Sequence, residues 1–170
     1  GGRAARCPAG RAPRAILARM DVALPAPVRI GLLGVGTVGA ALAELLRPRA
    51  DLVLAKALVR DPSKPRPIAH PDAVLTTDLN EVLDHADLVV ETMGGVEPAT
   101  SAITAALERG LPVVTANKAA LAERWDAFVP HMRAGRLHFE ASVVAGTPVI
   151  GSLSGALRGS APYEIHAVLN

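Results

Sequence analysis

A chain of 170 residues, half of them apolar but only 2% aromatic, has material for one domain, or for one domain and a piece of another, with a core built from Ala, Val and Leu. The single cysteine, Cys7, excludes a disulfide framework and a cysteine-based zinc site within one chain, and fits a reducing, cytoplasmic setting. The net charge of +2 rests on five arginines in residues 1–20 (Arg3, Arg6, Arg11, Arg14, Arg19); without them the chain sums to −3, so its body offers no electrostatic reason to bind nucleic acid.

Residues 1–27 read as a disordered basic tail, rich in Ala, Arg, Gly and Pro with little apolar periodicity. Arg-rich, acid-poor segments suit targeting peptides, but Pro8 and Pro13 would break an amphipathic helix, which favours a true start at Met20. Pro25 and Pro27 lead stiffly into a first strand, Val28–Leu33. A helix follows over Thr37–Leu46, stopped by Pro48. Leu52–Val59 is a second strand, apolar enough to be covered on both faces. Residues 61–71 hold four prolines and form a surface loop. Ala73–Thr76 is a short third strand, and Asp78 caps a helix reaching His85. Leu88–Thr92 is the fourth strand, Ala99–Arg109 a helix closed by Gly110, and Leu111–Ala116 the fifth strand. Leu121–Ala134 reads as a further helix closed by Gly135, and Leu137–Ala141 as the sixth strand. No run reads as a transmembrane helix. The longest uncharged stretch, Ala141–Leu157, falls just short of spanning length and is broken by Gly146, Pro148, Gly151 and Gly155.

Six alternations of strand and helix predict an α/β fold, a doubly wound parallel sheet of Rossmann type spanning residues 28–143. The first strand runs into Gly34-Val35-Gly36-Thr37-Val38-Gly39, a G-x-G-x-x-G pattern between strand and helix, which is the context that pattern requires. Gly34 turns the chain off the strand, Gly36 lets a pyrophosphate approach the backbone, and Gly39 lets helix and strand pack closely. The helix that follows aims free N–H groups and its positive end at the phosphates. Ligands of such sheets bind outside the carboxyl ends of the strands, here at 34–39, 60–66, 92–95, 116–118 and 140–147. An acid about twenty residues after the glycines would take ribose hydroxyls in an NAD site. Arg60 closes the second strand instead, with Lys64 and Arg66 close behind; this suits a 2′-phosphate and leans toward NADP, while the neighbouring Asp61 leaves NAD possible. A solvated basic loop is the plainer alternative. The five histidines show no metal spacing and no nearby nucleophile pattern.

Three further strand ends carry a resemblance: Val90-Glu91-Thr92-Met93-Gly94-Gly95, Val113-Val114-Thr115-Ala116-Asn117-Lys118 and Glu140-Ala141-Ser142-Val143. Together with the glycine motif and Val59-Arg60-Asp61-Pro62-Ser63-Lys64, they closely resemble homoserine dehydrogenase, over about Val28 to Asn170. The resemblance implies reversible reduction of aspartate 4-semialdehyde to homoserine with NADPH or NADH, a step toward threonine, methionine and isoleucine. It implies that Lys118 is the active-site lysine, and an ammonium there can hold the carbonyl oxygen as negative charge develops, or relay a proton. The alternative for Lys118 is a surface cation at a helix start, an unfavourable place for positive charge. The implied cofactor set is Gly34, Val35, Gly36, Thr37, Val38, Gly39, Arg60, Lys64, Thr92, Met93, Gly94 and Lys118. Glu140, Val143, Ala145 and Thr147 resemble the family's sodium site, of one carboxylate and several backbone carbonyls. Val144 and Thr147 depart from the usual pattern there, and a glutamate capping the next helix is the alternative.

In the resembled family the substrate carboxylates and a second lysine lie in a later α+β domain. Residues 144–170 read as its beginning: a linking helix over Pro148–Arg158 and a first strand over Tyr163–Asn170. The chain therefore reads as the front part of a longer, homo-oligomeric enzyme, with a small-molecule substrate and no membrane partner. A stand-alone nucleotide-binding module without turnover, or another oxidoreductase on the same fold, are the competing readings.

Overall fold

The computed structural model describes residues 24–66, 74–144, 147–155, 157, 159, 160, 164 and 166. The expectations for the tail up to residue 23, for Ala73 and for Ala145 lie outside the described residues. Of the strand expected over Tyr163–Asn170 only Glu164 and His166 are described, and neither is in a strand.

The elements follow the alternation read from the sequence. They are β1 (Val28–Leu33), α1 (Thr37–Leu46), β2 (Leu52–Leu58), β3 (Leu75–Thr76), α2 (Leu79–Asp84), β4 (Leu88–Glu91), α3 (Ala99–Glu108), β5 (Val113–Thr115), α4 (Lys118–Glu123), α5 (Trp125–Arg133), β6 (Leu137–His138) and α6 (Val149–Ser154). A single 3₁₀ turn, Glu140–Ser142, follows β6. All pairings are parallel, and the strand order is β3-β2-β1-β4-β5-β6. The chain winds outward from β1 to β3, then crosses back to place β4 on the other side of β1. That reversal is the switch point of a doubly wound sheet.

Alternation along the strands fills two cores. Leu33, Val89, Val113 and Leu137 meet Val82, Ile103, Leu121, Phe128 and Met132 from α2 to α5. Ile30, Leu32, Leu54 and Ala57 meet Ala43 and Leu46 of α1. Successive strand residues point to opposite faces, so Leu32 and Leu33 each anchor a different layer of helices, and both are fully buried. Gly31, just before them, is a glycine for a packing reason. A Cβ there would sit 2.8 Å from Ala86 Cβ and 2.9 Å from Val82 Cγ1, where the end of α2 rests on β1. At the amino end of the sheet Arg29 ties β1 to the start of β4. Its guanidinium donates to both carboxylate oxygens of Asp87, at 3.0 and 2.7 Å, its backbone N–H donates to Asp87 Oδ2 at 2.9 Å, and its carbonyl accepts the Asp87 N–H at 2.8 Å.

Two helices differ from the sequence reading. The helix expected over Leu121–Ala134 begins at Lys118 and breaks at Arg124, whose φ and ψ of −118° and 26° leave the helical region. The break sets Trp125 edge-on against Phe139, ring centres 5.8 Å apart. Pro130 within α5 has no N–H to donate to the preceding turn, yet the helix continues past it to Arg133. Of the helix expected over Pro148–Arg158, Val149–Ser154 is helical with Gly155 as its C-cap, and residues 156 and 158 lie outside the described residues. Among the described residues no helix is long and apolar enough to cross a membrane.

Candidate functional site

The glycine turn opens the site. Gly34 has φ +92°, in the left-handed region where a side chain would be strained, and a Cβ would also press on the backbone of Met93. Gly39 is buried, and a Cβ on it would collide with the carbonyl oxygen of Gly34 and lie 2.8 Å from Thr92 Oγ1. Gly36 differs from both. A Cβ on Gly36 would meet nothing within 4 Å, because it would project into open space at the mouth of α1. Gly36 is also the N-cap residue of that helix, so no side chain caps it, and its first turn carries no acid. The positive end of a ten-residue helix is thus left facing the space over Gly36, an arrangement suited to a phosphate.

That space belongs to a cleft of about 1370 Å³ along the carboxyl ends of β1, β2, β3 and β4. Among the residues proposed from the sequence, Gly34, Val35, Gly36, Thr37, Arg60, Lys64, Thr92, Met93 and Gly94 all line it. Val38 does not; it is 58% exposed on α1. Gly39 lies beneath the cleft as a packing residue. Thr77 and Leu79, beyond β3, also line it, and no reading of the sequence singled them out. The signal was there, since the end of β3 lies on the same rim as the others.

Arg60, Lys64 and Arg66 gather at the β2 end, and Arg66 Nη1 donates to the Lys64 carbonyl at 2.8 Å. The one acid in this loop, Asp61, lines the cleft as well, with one of its two oxygens engaged within the loop. Asp61 Oδ1 accepts from the backbone N–H and the hydroxyl of Ser63, at 2.9 and 2.7 Å, and these bonds hold its carboxyl below the usual carboxylate range. The loop therefore presents Arg60, Lys64 and Arg66 to the cleft beside a carboxylate that has one oxygen engaged.

At the opposite end, the loops after β4 and β5 are held by a buried carboxylate. Glu91 is fully buried. Its Oε1 accepts from the Met93 N–H at 2.7 Å and from Asn117 Nδ2 at 3.4 Å, and its Oε2 from Thr115 Oγ1 at 2.5 Å. Asn117 in turn donates to the Gly95 carbonyl at 2.7 Å and caps α4 by accepting from Ala119 and Ala120 N–H, both at 3.1 Å. Thr92 ties the same rim to the glycine turn after β1 by donating to the Gly34 carbonyl at 2.8 Å. Lys118 is the exposed first residue of α4, beside this network but outside the lining of the large cleft.

In the group read as a sodium site, the described residues bond to neighbouring backbone. Both carboxylate oxygens of Glu140 are taken up by the start of α6, from Ile150 N–H at 3.0 Å and Gly151 N–H at 2.6 Å. This is the helix-capping alternative. Val143 donates its N–H to the Glu140 carbonyl, and Thr147 donates to the carbonyl of Val144, whose φ is +49°. Among the described residues no three His, Cys, Asp or Glu side chains converge as a metal set.

A parallel sheet wound in this order, with a glycine turn at its switch point and an uncapped helix start over a long cleft, defines a dinucleotide-binding α/β domain. Comparison with known proteins narrows the class. Residues 34–140 match the family model described as homoserine dehydrogenase, NAD binding domain. The chain belongs to that family. It is 40% identical over 156 residues to the homoserine dehydrogenase of Synechocystis, covering 84% of this chain and 36% of that relative. The chain thus spans about a third of the length of the curated relatives it matches. Among solved structures it resembles homoserine dehydrogenase from S. aureus, with TM-score 0.61 and 36% identity over 68% of this chain and 33% of that one. It also resembles a hyperthermophilic archaeal homoserine dehydrogenase in complex with NADPH, with TM-score 0.58 and 25% identity over 74% of this chain and 47% of that one.

Proposed function

We propose that this chain forms the nucleotide-binding part of a cytoplasmic, homo-oligomeric homoserine dehydrogenase, which interconverts L-aspartate 4-semialdehyde and L-homoserine with NADP(H). Residues 28–143 are the dinucleotide-binding domain in this reading, and 144–170 open the domain that receives the substrate. The observation that carries it is the continuous cleft from the basic loop at Arg60, past the bare backbone of Gly36, to the Thr92–Gly94 turn. The residues present suit the cofactor. Gly36 leaves room for the pyrophosphate, the start of α1 supplies N–H groups, and Arg60, Lys64 and Arg66 suit a 2′-phosphate.

When bound, the cofactor supplies a hydride to the semialdehyde carbon or accepts one from homoserine. Lys118 is the group we assign to the substrate oxygen, where an ammonium stabilises the charge that develops. NADP over NAD is favoured by the engagement of Asp61 with Ser63, which leaves cations to meet the ribose end.

Titration of the chain with NADPH and NADH, followed by nucleotide fluorescence, tests this. NADPH binds more tightly than NADH, and Arg60→Ala weakens NADPH by about tenfold, the scale of one lost charge-assisted pair, while moving NADH little. Equal losses for both nucleotides would remove the 2′-phosphate assignment. In an enzyme of the relatives' full length, Lys118→Ala lowers turnover far more than it weakens NADPH; unchanged turnover would end its catalytic role.

A further inference from the structure

A carboxylate at the buried end of β4 needs a reason. Its strand neighbours Leu88, Val89 and Val90 are apolar, and an apolar residue would fill the position without burying a polar group that then needs partners. The donors it finds are not scattered. Met93 N–H belongs to the turn after β4, Thr115 is the last residue of β5, and Asn117 is the cap of α4. Each sits on the rim between the Thr92–Gly94 turn and Lys118. Thr115 Oγ1 also accepts the Asn117 N–H at 3.0 Å, and Asn117 holds the Gly95 carbonyl, so one carboxylate fastens both loops at once.

In a doubly wound sheet the adenosine ribose lies at the end of β2 and the dinucleotide crosses the switch point. The other half of the molecule must then reach the ends of β4 and β5, where Glu91 gathers its partners. We propose that Glu91 is a positioning residue for the nicotinamide half of the cofactor. It sets the backbone of Met93–Gly95 and the Asn117–Lys118 turn in one fixed relation, and it has no part in holding the adenosine half. The proposal rests on the nucleotide reading of the cleft.

Two probes separate the halves: NADPH, and adenosine 2′,5′-bisphosphate, which lacks the nicotinamide end. Binding of each by calorimetry, with a melting curve for every variant, is measured on the full chain. Glu91→Val removes the common acceptor and lowers NADPH affinity by about tenfold relative to the bisphosphate, whose binding stays within about threefold of wild type. Glu91→Gln keeps an oxygen for Met93 N–H and an amide for the Thr115 hydroxyl, and restores most of the loss. A merely structural role would lower the melting temperature and weaken both probes together, which would overturn the proposal. Equal retention of both probes by Glu91→Val would also overturn it. Should Glu91→Val fail to fold, Thr115→Val breaks the same link from the other side; an unchanged ratio of the two affinities there counts against the proposal, and a reduced ratio supports it. A wild-type chain that bound neither probe would overturn the nucleotide reading and the proposal with it, whereas binding of both with no effect of Glu91→Val overturns the proposal alone.

Discussion

Gly36 and Gly39 lack a side chain for opposite reasons, and the difference can be measured. A methyl group at Gly36 meets no protein atom within 4 Å, so Gly36→Ala leaves stability within about 0.5 kcal/mol of wild type while NADPH binding falls by about tenfold or more. At Gly39 the same methyl strikes the Gly34 carbonyl, and Gly39→Ala costs about 2 kcal/mol, the usual scale of overpacking. Urea unfolding paired with NADPH titration checks both; a Gly36→Ala protein that bound NADPH normally would show that no phosphate passes there. The glycine pattern itself was legible because a positive φ or a close approach demands glycine whatever lies far away in the chain. Glu91 and Glu140 were not legible in the same way. Each is one acid in a loop or strand end until its distant donors arrive: for Glu91, beside the nearby Met93 N–H, from 24 and 26 residues on, and for Glu140 from 10 and 11 residues on.

Helix and strand boundaries divide along similar lines. The start of α1 at Thr37 and the cap at Asp78, which accepts from Asn80 N–H at 2.8 Å, follow from the residues on the spot. The break between α4 and α5 does not, because it answers to Phe139, beyond the helix itself. Arg29 and Asp87, 58 residues apart, also act at this scale by joining the starts of β1 and β4. The hydrogen bonds from the Arg29 side chain come first among the causes that hold the Asp87 carboxyl below its ordinary value. A carboxylate whose folded pKa is depressed stabilises the fold above its unfolded pKa, and that contribution is lost as pH falls through the folded value. Asp87→Asn therefore lowers the melting temperature at neutral pH, and the gap from wild type closes below about pH 4. A gap that persisted undiminished at about pH 2 would mean that the ion pair is not what joins the strands there.

For the molecule as a whole, the cleft lies along strand ends contributed by four separate stretches of chain, so a ligand spanning it couples them. Saturating NADPH, at about a hundredfold over its dissociation constant, adds about 2.7 kcal/mol and raises the melting temperature by about 5–10 °C. A melting temperature indifferent to NADPH in a folded sample would argue that the cleft is not its site. The chain alone, read residue by residue, determined the alternation of strands and helices, the glycine bend, the cationic loop at Arg60 and the family they resemble. These depend on backbone conformation, periodicity and charge among near neighbours, which the order of residues states directly. Folding decided the rest: the β3-β2-β1-β4-β5-β6 order, the hydrogen bonds that join Thr92 to Gly34 and Glu91 to Asn117, and the donors that take up Glu140 at the start of α6, one of two readings of that residue. Each is a pairing between groups far apart along the chain, and only their meeting in space selects one partner from the many the sequence would allow.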